Sequence, residues 1–253
     1  MSANPQPDEA LARLREELGV VRGPKLAVLP FEIAAIDRRL AEGGLVLGGL
    51  HEVSPATPTL TDDAAATLFS VGIAARAAAR SGKRVLWALT RFDLYAPGLE
   101  QAGLDPATLL FVEARDDKQV LAVMEDGLRH GGLAAVVGEV KRADMVATRR
   151  LQLAAMSGHA PALLARRWRK AGVEPLSDLS AAMTRWRIAC APSERLPAPG
   201  VGRARWTVDL ARQRGGPPFT LQLEACDDTG RLALPAAPRH RATAPARATA
   251  RAA

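Results

Sequence analysis

Residues 43–53 read Gly43-Gly44-Leu45-Val46-Leu47-Gly48-Gly49-Leu50-His51-Glu52-Val53, and residues 54–63 continue Ser54-Pro55-Ala56-Thr57-Pro58-Thr59-Leu60-Thr61-Asp62-Asp63. The glycine pairs mark turns, the apolar residues a short strand, and the Pro/Thr run a loop opening into an alanine-rich helix. In an α/β nucleotide-binding domain such a loop is a glycine-rich cradle, whose backbone N–H groups meet phosphate at a helix N-terminus. No Gly-x-x-x-x-Gly-Lys-Ser/Thr occurs in the 253 residues. Pro55 and Pro58 have no N–H to offer, and Asp62 and Asp63 bring negative charge where phosphate needs positive. The stretch has the frame of a phosphate loop without its chemistry.

Outward from this stretch, helix and strand patterns alternate. Residues 8–18 carry Leu11, Leu14 and Leu18 on one stripe, a short amphipathic helix ended by Gly19 and Gly23-Pro24. A second short helix is expected over 31–40. Thr61 or Asp62 can N-cap a helix running to about Arg80, stopped by Ser81-Gly82-Lys83. Strands are expected at 84–89, 109–112, 133–137 and 162–165, with helices at 95–102, 117–130 and 143–156. The continuous apolar run Leu133-Ala134-Ala135-Val136-Val137 is what a parallel sheet covered on both faces produces. The alternation predicts an α/β fold: a mostly parallel sheet flanked by helices, with right-handed crossovers. After Arg169 the pattern changes. Residues 183–190, 204–212 and 219–224 alternate with period two and predict antiparallel strands extending one edge, with one face wet. From residue 235 onward Ala, Pro, Arg and Thr dominate without an apolar period. The organisation read from the chain is therefore an N-terminal helical segment (1–25), a core (26–234) and a disordered basic tail (235–253).

Composition narrows the function classes. No apolar run reaches the roughly 18 residues of a membrane span, and the N-terminus lacks the basic and apolar regions of a signal peptide, so a cytoplasmic protein is expected. Cys190 and Cys226 are far apart, without metal-ligand spacing, and read as thiols in a reducing compartment. His51 and His159 have no Ser, Cys or carboxylate partner at a catalytic spacing and read as structural. Charge is uneven: residues 1–140 hold 14 Lys+Arg against 19 Asp+Glu, whereas residues 141–214 hold 15 against 5. A basic second half suits an acidic partner such as nucleic acid, or a solvated arginine-rich surface. Candidate contacts to DNA or a partner are Arg166, Arg167, Arg169, Lys170, Arg205, Trp206, Arg212 and Arg214. Trp168 and Trp186 are candidates for base stacking or for the core.

The stretch 43–53 resembles the segment that leads into the Walker A loop of RecA-type proteins, Gly-Gly-Leu-x-x-Gly-x-(apolar)-x-Glu-(apolar). Ile36-Asp37 and Ala102-Gly103-Leu104-Asp105 are similar to two further RecA signatures, so the likeness covers about residues 26–140. It implies a RecA-like core in which the degenerate phosphate-loop positions are Ser54, Pro55, Thr59, Thr61 and Asp62. Leu60-Thr61-Asp62 stands where the family has Gly-Lys-Thr. The water-activating acid falls near Arg91, and the Walker B Asp falls on Gly138, with Glu139 one place late. Neither catalysis nor a cofactor is then expected.

The ending Trp206-Thr207-Val208-Asp209-Leu210-Ala211-Arg212-Gln213-Arg214-Gly215-Gly216 and the strand Ala135-Val136-Val137-Gly138-Glu139-Val140 are similar to the ImuA family, extending the resemblance over about 8–235. That family implies an accessory protein of damage-induced mutagenesis and translesion synthesis in the SOS response. Its partner would be an ImuB-type Y-family polymerase relative, beside RecA or an error-prone polymerase, with single-stranded DNA as a further contact and no membrane. Two other readings stay open: a weak ATP- and single-stranded-DNA-binding RecA paralogue relying on Glu139 with Lys83 or Lys141, and a SulA-like inhibitor of cell division.

Overall fold

The computed structural model describes residues 26–168, 172–193, 199–200 and 202–235. The helix expected at 8–18, the tail after Pro235, Arg169 and Lys170 lie outside them. In chain order the elements are β1 (Val28–Leu29), α1 (Ala34–Asp37), β2 (Leu45–Val46), β3 (Leu50–Pro55), α2 (Leu60–Ser81), β4 (Val85–Leu89), α3 (Ala96–Gln101), β5 (Leu109–Glu113) and α4 (Asp117–His130). They continue with β6 (Ala135–Val140), α5 (Met145–Gly158), β7 (Ala162–Arg166), β8 (Thr184–Ala191), β9 (Arg205–Gln213) and β10 (Phe219–Glu224). β1 and β2 form a small antiparallel ribbon, and the rest form one eight-stranded sheet in the order β10-β9-β8-β3-β7-β6-β4-β5.

Six neighbouring strands, β8 through β5, run parallel. Every residue of β3, β4 and β7 is buried, as expected of strands covered on both faces. On one face α2 packs with Phe69, Ile73, Trp87, Val137 and Trp186; on the other α4 and α5 pack with Leu50, Leu86, Met124, Leu151 and Leu164. Phe31, Phe69, Trp186 and Phe219 meet at centroid distances of 5.6–6.1 Å and join the small ribbon to the antiparallel end of the sheet.

The helix ends follow from local chemistry. α2 is capped by Thr59, two residues before the expected cap, because the Thr59 hydroxyl accepts from Asp62 N at 3.4 Å and leaves Asp62 for another task. Gly82 ends it in the left-handed conformation at φ 66°, where only glycine is unstrained. The Gly43-Gly44 pair has a packing reason: a Cβ on Gly44 would lie 2.9 Å from the Leu29 carbonyl oxygen. The β1–β2 ribbon can close only without that side chain.

One strand departs from expectation. β8 was expected to be antiparallel, and it is parallel to β3; only β9 and β10 extend the sheet in antiparallel fashion. Its alternating charged positions suggested a wet face. The Arg185 guanidinium is instead buried against Glu52, its register partner on β3.

Glu52 is fully buried and takes Arg166 Nη1 at 2.8 Å on one oxygen and Arg185 Nε at 2.5 Å on the other. Arg166 also reaches Asp178 at 3.3 Å and the Ala143 carbonyl at 3.3 Å. Three adjacent strands are thus pinned through one carboxylate. Beside it His51 Nε2–H donates to the Val46 carbonyl (2.9 Å), so Nδ1 accepts from the Thr184 hydroxyl (2.7 Å), which in turn accepts from Trp186 Nε1 (2.7 Å). Burial pushes the His51 pKa down to about 4, against a smaller upward pull from the Val46 carbonyl.

Two outcomes are expected. Glu52→Gln takes the shared carboxylate from two buried guanidinium groups, leaving Arg166 only the half-exposed Asp178, and urea denaturation should show a loss of about 3–5 kcal/mol. His51 is neutral when folded and its pKa is lowered, so its contribution is complete above pH 6.5 and lost as pH falls toward about 4. At pH 5 the loss is about 2 kcal/mol relative to pH 7, and the urea midpoint of His51→Gln should lack this part of the pH dependence.

Candidate functional site

The C-terminal ends of parallel strands are where wound α/β sheets present their ligand crevice. Here the ends of β4, β6 and β7, the loop after β3 and the first turns of α2 enclose a cleft of about 830 Å³. Its walls include Thr57–Leu60, Asp63 and Thr67 on the α2 side, Arg91 and Tyr95 after β4, Glu139 and Lys141 at the end of β6, and Arg167 and Trp168 after β7.

Thr57, in the loop, already has an acceptor. Asp62 is 5% exposed, and its carboxylate accepts from Thr57 N (3.0 Å), the Thr57 hydroxyl (2.6 Å) and Cys190 N (2.7 Å). A carboxylate of the chain itself thus takes loop and β8 donors, in the turn where a phosphate loop presents its donors to an anion. Trp168 Nε1 donates to the Pro55 carbonyl at 3.2 Å and fastens the start of the loop to the segment after β7.

The cleft also has its own cation. Arg167 Nη2 and Nε reach Glu139 Oε2 at 2.7 and 3.0 Å, Nη1 reaches Asp63 Oδ1 at 2.8 Å, and Nη2 reaches the Thr67 hydroxyl at 2.8 Å. Desolvation works to lower the Arg167 pKa, but the negative charges of Glu139 and Asp63 outweigh it and hold the group above its ordinary value. Trp87 Nε1 donates to the other Glu139 oxygen at 2.8 Å. The two carboxylates nearest the strand ends are therefore both committed to Arg167. Among the described residues no group of three or more His, Cys, Asp or Glu side chains is placed to hold a metal. Arg91 pairs with Asp93 at 2.7 Å in the open, and Asp117 accepts from Lys141 N and Arg142 N at 3.1 and 2.8 Å.

The sequence-derived residues separate into groups. Ser54 and Pro55 belong to β3 itself and are buried, Ser54 Oγ having no hydrogen-bond partner among the described residues. Thr59 and Thr61 are exposed on the first turn of α2, their hydroxyls 3.2 Å apart. Arg167 lines the cleft. Two expectations are corrected: Arg166 is 1% exposed in the Glu52 network, and Trp206 is 2% exposed in the core, so neither offers a surface contact. An arginine on a strand buried on both faces is retained by its buried partner, and a Trp on the inward phase of β9 packs. Trp186 is likewise core. Arg205 is half-buried and held within the chain. Arg212 and Arg214 are exposed, donating to the Ser180 and Ala181 carbonyls at 3.3 and 3.2 Å.

Sequence reasoning missed the pairing of Arg167 with Glu139 and the inward turn of Asp62. The residue types were visible, but 28 positions separate Arg167 from Glu139 and 128 separate Cys190 from Asp62. Only the strand order brings them together. A double-mutant cycle of Arg167→Met and Glu139→Gln, read by urea unfolding, should give a coupling energy of about 1–3 kcal/mol, with Arg167→Met the more damaging single change because it strands two carboxylates.

No family model matches the chain. Its fold is similar to that in the crystal structure of the RadB recombinase, with a TM-score of 0.51 at 16% identity, over 77% of this chain and 94% of that one. The mostly parallel sheet with flanking helices is thus RecA-like. Protein ImuA of Caulobacter vibrioides (strain NA1000 / CB15N) is 42% identical over 203 residues, which span 78% of this chain and 83% of the relative. Protein ImuA of a second strain, ATCC 19089 / CIP 103742 / CB 15, matches with the same figures. At this identity and coverage the likeness shows that the chain belongs to the ImuA family.

Proposed function

We propose that the chain is a non-catalytic RecA-like accessory protein of damage-induced translesion DNA synthesis. It acts as an adaptor to an ImuB-type Y-family polymerase relative and an error-prone polymerase. Membership of the ImuA family and the RecA-like fold connect it to damage-induced mutagenesis. The observation that carries the non-catalytic reading is the state of the cleft. Asp62 takes donors of the degenerate loop, and Arg167 holds Glu139 and Asp63, the acids nearest the strand ends. A nucleoside triphosphate would bring further negative charge beside these carboxylates, with no loop lysine to offset it. Phosphoryl transfer depends almost wholly on positioning and charge stabilisation, and neither is assembled here. What remains is a rigid sheet with basic surface on its second half, a scaffold for contacts rather than turnover.

Two measurements test this. Purified protein should hydrolyse ATP no faster than a Glu139→Gln variant, with or without single-stranded DNA; turnover that Glu139→Gln abolishes would establish the weak-NTPase alternative. The full-length protein should co-purify with an ImuB-type relative from the same organism, and failure to do so would remove the adaptor role. Truncation is unsuited to this second test, since β9 and β10 place Trp206, Val208, Leu210 and Leu223 in the core.

A further inference from the structure

The outward face of α5 is apolar where an exposed helix is ordinarily polar. Beneath, Thr148, Leu151, Gln152, Ala154 and Ala155 anchor the helix, and Gln152 ties it to β3 by accepting from Leu50 N at 2.9 Å. Above, Met145 (46% exposed), Val146 (68%), Leu153 (57%) and Met156 (57%) stand in solvent. Arg149 lies among them, four residues after Met145 and four before Leu153, so the three form one column along the helix. Arg149 has no acidic partner among the described residues, whereas the neighbouring Arg150 is held by Glu125 at 2.6 Å.

The stripe continues beyond the helix. Leu179, 77% exposed, lines with Met145, Ala143, Arg142, Asp144 and Asp178 a recess of about 370 Å³ at the start of α5; Asp144 is engaged as the helix cap and Asp178 by Arg166. The segment carrying Leu179 is fastened to α5 by Ala181 N donating to the Thr148 hydroxyl at 3.2 Å. The exposed Arg212 and Arg214 reach its carbonyls at Ser180 and Ala181. Five large exposed apolar side chains thus share this side of the molecule with Arg149, which has no acidic partner among the described residues, and with Arg142, Arg212 and Arg214, while the two acids of the recess are engaged within the chain.

We infer that this face is the docking surface for an acidic amphipathic helix of a protein partner. In such a helix, apolar residues at i, i+4 and i+7 would lie along the α5 column and one would fill the recess beside Leu179. A carboxylate at the centre would pair with Arg149, and others would meet the arginine rim. The chemistry argues against nucleic acid: phosphate would use the arginines but leave the apolar residues wet, and none of the described residues named on this face has an aromatic ring to stack a base. The surface lies on α5 and the segment after β7, apart from the cleft residues. The partner contact made here is the physical form of the adaptor role and rests on that reading.

The test is quantitative binding of the full-length protein to the ImuB-type relative. Leu153→Glu and Arg149→Glu should each weaken it tenfold or more. Arg84→Glu, exposed before β4, should leave it unchanged. Oxidation of Met145 and Met156 by peroxide should be rapid in the free protein and slow in the complex. Tight binding unaffected by Leu153→Glu and Arg149→Glu would overturn the surface and leave the adaptor reading standing; no binding by the unaltered protein would overturn both. Slow oxidation in the free protein, relieved by Leu14→Glu, would assign the face to the chain's own residues 8–18 and overturn the inference. A dimer that Leu153→Glu dissociates would do the same in favour of a second copy.

Discussion

A single carboxylate in the middle of the sheet, Glu52, is the constraint on which the rest of this structure hangs. It sits on β3, between β7 and β8, and faces guanidinium groups from both neighbours. An ion in that position is costly to bury, and replacing the whole triad by apolar side chains of the same volume need not weaken the fold. What the charges impose is register. Glu52 can be satisfied only if Arg185 lies directly across β8 and Arg166 two residues beyond Leu164 on β7, which is the pairing observed. Arg166 then reaches on to Asp178 and to the turn before α5, so the sheet order and the placement of its last crossover are fixed together.

The same logic continues one residue along the chain, in the cleft. Because Arg166 is turned into the sheet, Arg167 is turned out of it, over the strand ends. Adjacent arginines thus have opposite fates by the period of a strand. One stabilises the interior; the other ties β6 to the start of α2 through Glu139, Asp63 and Thr67. Around the cleft at the strand ends, the acids on these elements are paired within the chain. Asp62 binds the loop to β8.

The exposed face of α5 stands apart from these paired groups. Its inner residues are locked and its outer ones combine apolar area with an unanswered positive charge. The acids of the cleft are paired with the chain's own arginine, whereas the outward side of α5 carries apolar area beside an arginine that has no acidic partner among the described residues.

Much of the architecture was legible in the residues. The alternation of apolar runs with helical periods implies a wound parallel sheet, and the end of α2 follows from Gly82. The loss of the phosphate-loop lysine is a matter of composition, since no fold can supply a side chain that the loop lacks. Orientation was not legible. Whether Arg166 or Arg167 turns into the sheet and whether β8 runs with or against β3 depend on partners between 12 and 133 positions away, and the inward turn of Asp62 depends on Cys190, 128 positions away, as well as on nearby Thr57. Local sequence determines the period of an element and the identity of its charges. Tertiary structure alone decided which of those charges meet, because burial converts a surface arginine into one that must find its carboxylate.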